Sequence, residues 1–220
     1  MNKFLKNYKI ILLFILLLFI FTLFCSFSYA QTISYDIANS VFRLHVIANS
    51  DSDEDQNLKY KVRDALLAYM NTLTSNCSSK EEVINIANSN KDKFREIAIK
   101  TIRENGFDYD VNVEIGNFEF PTKTYGDISL PSGFYDALKV EIGSAKGKNW
   151  WCVMFPPLCF IDISSGTLSD ESKNYLKNNL SDEDYALISN DSSSDLQFKF
   201  KILEFFGNNN IISAINDKIK

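Results

Sequence analysis

The sequence predicts an α+β fold, a mainly antiparallel sheet with a long antiparallel helix pair packed on one face. Three observations lead there. Residues 42–47 alternate as a strand does, with Phe42, Leu44 and Val46 on one side and Arg43, His45 and Ile47 on the other. Two later stretches carry apolar residues at helical spacing: Leu58, Val62, Leu66 and Leu73 in the first, Val83, Ala87, Phe94, Ala98 and Ile102 in the second. After Gly106 the period drops to two, in Val111/Val113/Ile115, Leu138/Val140/Ile142 and Trp151/Val153/Phe155. Helices grouped together and strands grouped after them give α+β rather than a strict βαβ alternation.

Taken in order, the chain opens with Lys3, Lys6 and Lys9, then an apolar run from Ile10 to Phe24, then the small residues Ser28 and Ala30 around Tyr29. That is the anatomy of a signal peptide over residues 1–30. A retained N-terminal membrane anchor is the alternative, although the apolar run spans only about 22 Å as a helix against about 30 Å of hydrocarbon. A lipoprotein reading of Cys25 fails on the bulk of Phe24 before it. Residues 31–220 are expected to form a single α+β domain. Residues 31–40 read as a polar leader into the first strand. Asn49, Ser50 and Asp51 turn the chain. Ser52 and Asp55 form a capping-box-like pair, and Asp51, Asp53, Glu54 and Asp55 place negative charge at the positive end of a helix dipole.

The first helix is predicted over Asp53–Leu73. The second starts at Ser79, with Glu82 completing its cap, bends near Asn88–Asn90 and ends at Gly106. The strand at 111–115 extends through Phe118 and Phe120, and a loop with Pro121, Gly126, Pro131 and Gly133 follows. Gly143–Gly147 reads as a hairpin between strands 138–142 and 151–155, and Pro156-Pro157 stops the second. Beyond Ser164 come a short helix over Asp170–Leu180, an acidic mobile loop over Ser181–Asp195 and a late strand at Leu196–Ile202.

The net charge is −5, and −8 without the three lysines of residues 1–30. No basic surface for nucleic acid is expected, and the acidic balance reads as solubility. An exported chain keeps Cys77, Cys152 and Cys159. Cys152 and Cys159 flank Pro156-Pro157, which can reverse the chain and bring them to bonding distance, so a disulfide between them is expected. Two buried free thiols are the alternative. Cys77 is left over as a neutral surface thiol.

No catalytic arrangement stands out. His45, the one histidine, would need a thiol and an orienting third group. Asp51, Asp53 and Asp55 are not an EF-hand, because Gln56 and Val62 stand where glycine and glutamate are required. No metal site, cofactor or phosphate loop is expected. Three features could recognise a partner. One is the Arg43/His45 face with the Asn49–Asp51 turn, for which two readings stay open: a recognition face, or a face covered by the C-terminal segment. Another is the helix surface bearing Lys59, Lys61 and Arg63. The third is Trp150 with Phe155, Pro156 and Pro157, with Trp151 taken as the core residue and Trp150 as the interface aromatic. The braced Met154–Leu158 loop would then be presented to a partner.

Two blocks, RLHVIANSDSDEDQNLKYKVRDAL from Arg43 and WWCVMFPPLCFID ending at Asp162, resemble the stage II sporulation protein R family. The resemblance implies a secreted signalling protein of endospore formation. It implies a membrane-embedded aspartic protease as partner, activated to cleave the precursor of sigma factor E in the space between forespore and mother-cell membranes. It implies no enzyme activity, no nucleic acid and no small-molecule substrate. A secreted thiol-dependent hydrolase using His45 and a cell-envelope binding module are the alternatives.

Overall fold

The computed structural model describes residues 2–159 and 168–189. Helix α1 spans Asn2–Ser40, followed by strand β1 (Phe42–Ile47) and helices α2 (Asp53–Thr74), α3 (Lys80–Ser89) and α4 (Lys91–Glu104). Strands β2 (Val111–Phe120), β3 (Lys123–Tyr125), β4 (Ile128–Leu130), β5 (Gly133–Ile142) and β6 (Asn149–Phe155) come next, then helices α5 (Asp170–Asn179) and α6 (Asp182–Ile188). The main sheet has the order β2-β5-β1-β6, and β3-β4 is a separate two-stranded ribbon. β5 runs parallel to β1, while the β2/β5 and β1/β6 pairs are antiparallel, so the α+β expectation stands with one parallel pair inside it.

The sheet separates two cores. On the helix side, Phe42, Leu44 and Val46 of β1 meet Val62, Leu66 and Met70 of α2, Val83 and Ala87 of α3, and Phe94, Ala98 and Ile102 of α4. Ser52 and Ser79 cap α2 and α3, each side-chain oxygen accepting from the backbone N–H three residues on. The second helical stretch is two helices, because Asn90 leaves the helical conformation at φ −111°, ψ 14° and its side chain bonds back to the Ile86 carbonyl. Tyr69 of α2 donates to Asn90 Oδ1 and fixes that break against the first helix.

Several expectations are corrected. Residues 31–40 are not a leader: α1 continues through them, and Ile37 and Val41 are fully buried in the second core. The Gly143–Gly147 segment is not a hairpin, because β1 lies between β5 and β6 and the segment crosses over its end. The Pro121–Gly133 loop contains the β3-β4 ribbon, and residues 182–188 of the expected mobile loop are α6. The expected strand 196–202 lies outside the described residues. Within α1, Tyr8–Cys25 has a mean hydropathy of 2.7 and none of it is buried against the domain, which fits a signal peptide or membrane anchor.

Candidate functional site

The turn after β1 is a structural knot. Asn49 Nδ2 donates to Asp55 Oδ2 at 2.8 Å, and Ser50 Oγ donates to the same carboxylate oxygen at 2.5 Å. Burial pushes Asp55 up, but these bonds and one from Tyr109 outweigh it and hold the carboxyl below its usual value. The crossing segment ties down over this turn. Ser144 N–H donates to Asn49 Oδ1, Lys146 N–H to the Asn49 carbonyl, Gly147 N–H to the Ala48 carbonyl and Lys148 N–H to Asp51 Oδ1. A Cβ on Gly147 would overlap the Ser50 carbonyl, so the backbones close only around glycine. Asn49 and Asp51, expected at a recognition face, are thus committed to the fold. Lys59 is 1% exposed and reaches Gln56 Oε1 at 2.6 Å and the Lys148 carbonyl at 3.1 Å, which removes it from the expected basic surface.

The second sheet face is covered rather than open. Tyr125, Ile128 and Leu130 of the β3-β4 ribbon, Leu176 of α5 and Ile188 of α6 pack over it with Ile37 of α1. Arg43 is fully buried there and His45 is 6% exposed, so neither offers a surface in this conformation. The cover comes mostly from elements the sequence had given to loops. His45 stacks on Trp151 with ring centroids 3.7 Å apart, and its Nε2 donates to Asn149 Oδ1 at 2.8 Å. Burial lowers its pKa to about 4; Asn149 and Glu141 oppose that and Lys139 adds to it.

Arg43 is the unusual group. Its guanidinium carbon lies 4.1 Å from the Phe120 ring centroid and 4.5 Å from that of Tyr135. Nη2 donates to Tyr125 Oη at 2.8 Å, while among the described residues Nε and Nη1 are buried without a partner. Burial pushes both tyrosine hydroxyls up, so neither supplies an anion. No carboxylate among the described residues pairs with it. Cation–π contact is favourable, but each unmet buried donor costs about 1–3 kcal/mol.

Trp150 and Trp151 point to opposite faces. Trp151, opposite His45, packs on the second core. Trp150, opposite Val46, lies on the helix side, with the Arg63 guanidinium 4.3 Å above its ring and Tyr60 edge-on at 5.4 Å. Its Nε1 is buried without a partner among the described residues, and Tyr60 is 37% exposed. Phe155 was expected to share the Trp151 face. A bulge opposite Phe42/Arg43 shifts the register, and Phe155 joins the helix-side core against Tyr175. Pro156 and Leu158 are buried, and the Pro157 carbonyl accepts from Ser172 Oγ of α5. The Met154–Leu158 loop is therefore packed under α5 and not presented to solvent.

Cys152 and Cys159 are disulfide-bonded with Cα atoms 5.6 Å apart. Cys152 is opposite Leu44 and lies on the helix side of β1, whereas His45 lies on the other. That parity separates the histidine from this sulfur and removes the pair on which thiol hydrolysis would depend. Cys77 is half-buried beside the helix-side core, and burial raises its pKa. Among the described residues no cluster of His, Cys, Asp and Glu is arranged to hold a metal ion.

Sequence comparison adds to this geometry. The family model for stage II sporulation protein R (spore_II_R) matches residues 38–165. That stretch runs from the docked end of α1 through both cores and the disulfide. Stage II sporulation protein R of Bacillus subtilis (strain 168) is 39% identical over 137 residues, 62% of this chain and 61% of that relative. The chain thus aligns with less than two thirds of the length of this relative. No solved structure matches the chain. The chain belongs to the stage II sporulation protein R family.

Proposed function

We propose that this protein is an exported signal that activates a membrane-embedded aspartic protease, which then processes the sigma factor E precursor. Membership of the family over residues 38–165 carries this reading. The apolar Tyr8–Cys25 helix and the Cys152–Cys159 disulfide support export to an oxidising compartment. Activation by binding requires only that the protein prefer the active form of the protease, with no chemistry of its own.

The contact surface in this reading is the Trp150, Tyr60 and Arg63 cluster. These are the residue types that dominate binding hot spots. Of the residues expected to meet a partner, Trp150 is the half-buried aromatic left beside an exposed ring. The test is reconstitution of the protease in vesicles with the sigma factor precursor, with and without the purified protein. Conversion should depend on the protein, and Tyr60→Ala with Arg63→Ala should reduce it about tenfold or more at unchanged melting temperature. Precursor conversion that proceeds equally without the protein would end the activation reading. Full activity of the double variant would move the contact elsewhere.

A further inference from the structure

We propose that the surface of Tyr60, Arg63 and Trp150 receives an acidic segment of the protein partner, and that a carboxylate of that segment takes the place of Asp64 on Arg63. The Arg63 guanidinium lies against two rings, 4.3 Å from the Trp150 centroid and 5.1 Å from that of Tyr60. Stacking fixes the plane of the group, so its N–H fork is oriented before any partner arrives. The Nε and Nη2 edge of that fork is turned to Asp64, and both donors converge on one oxygen, Oδ1, at 2.7 Å each. A guanidinium fork meets a carboxylate best through two oxygens in parallel, so this pairing uses the edge incompletely. Asp64 is the next residue in the chain, and its side chain is 56% exposed against 19% for Arg63. An ion pair with so exposed a partner contributes little in water and yields readily to a second carboxylate.

The ground around the fork is cationic. Lys59 Nζ lies 4.8 Å from the Tyr60 ring and donates to the Lys148 carbonyl, which places the exposed Lys148 beside it. Burial lowers the Lys59 pKa, Arg63 adds to that as a like charge, Asp51 opposes it and Lys148 adds to it again. The three cations therefore act on one another across this patch. Asp51 is tied to the turn, where its Oδ1 accepts the Lys148 N–H. Asp53 and Glu54 stand at the start of α2, about two turns before Tyr60. Among the described residues Lys59, Lys61 and Lys148 form no ion pair. The chain as a whole carries −5, or −8 without its first three lysines, so an acidic segment is repelled elsewhere and drawn to this patch.

The inference rests on the activation reading above, and the same reconstitution separates the two. The readout is the protein concentration that gives half-maximal precursor conversion. Wild type, Asp64→Asn and Arg63→Lys are compared at ionic strengths of about 0.05 and 0.3 M. Asp64→Asn should act at about threefold lower concentration, because the competing carboxylate is gone while the residue stays polar and exposed. Arg63→Lys should need about fivefold more, since the charge remains but the stacked fork does not. The wild type should need about threefold more at the higher salt. Asp64→Asn that acts only at the wild-type concentration or above, with an unchanged melting temperature, overturns the proposal. So does Arg63→Lys that matches the wild type, because a contact made through the rings alone would not sense the fork. The vesicles are made once from zwitterionic lipid and once with anionic lipid. Charge effects confined to the anionic vesicles assign the patch to lipid headgroups and overturn the partner assignment. No conversion with the wild type ends the activation reading and this proposal with it; conversion that depends on the protein but ignores both substitutions ends this proposal alone.

Discussion

Lowering the pH from 7.5 to 5 should destabilise this protein through His45. The imidazole is 6% exposed, stacked on Trp151, and held neutral with a pKa near 4, against about 6.5 in the unfolded chain. Because the folded value lies below the unfolded one, the unfolded state binds the extra proton first. The stability is fully present above pH 6.5 and is lost progressively as pH falls from 6.5 to about 4. The whole effect is about 3 kcal/mol, and the part lost between pH 7.5 and 5 is about 2 kcal/mol. Lys139 and Glu141 on β5 are the charged groups facing the ring, and they pair with each other at 2.6 Å. Gln in place of His45 keeps a donor for Asn149 and cannot titrate. Urea unfolding at pH 7.5 and pH 5 should show the wild type losing about 2 kcal/mol more than His45→Gln over that interval. Equal losses in the two proteins, within about 0.5 kcal/mol, would refute the claim that burial holds His45 neutral.

Three further outcomes follow from packing. Gly147→Ala forces a Cβ into the Ser50 carbonyl and should destabilise the fold by about 1–3 kcal/mol in urea titration, with the crossing segment losing amide protection first. Non-reducing peptide mapping should recover Cys152 and Cys159 joined with Cys77 alkylated, and loss of the bridge should cost up to about 2.5 kcal/mol in the chain-entropy model. Ile37→Ala should cost about 2–4 kcal/mol, measured on the exported protein, because this side chain is fully buried in the second core; a cost near zero would mean that α1 does not belong to the folded domain beyond Ala30.

Local pattern was enough for the elements whose period and caps agree. The alternation of Phe42, Leu44 and Val46 identified β1 and its helix-facing side, and Ser52 and Ser79 marked the starts of α2 and α3, because capping and amphipathicity act within one turn of chain. The two blocks around Arg43 and Trp150 were enough for the family. The Cys152–Cys159 pairing was readable because two prolines between close cysteines limit the reach of the chain. Strand order was not readable. Gly143–Gly147 has the length and composition of a hairpin, and only the long-range insertion of β1 between β5 and β6 turns it into a crossing strap. The face of Phe155 depended on a bulge that no one-strand pattern reveals. The fate of Arg43 and His45 depended on what covers the second sheet face. Strand parity places them on that face, but their burial comes from α1 just before β1 and from the β3-β4 ribbon, α5 and α6, which are distant in sequence and meet it only when the second core closes.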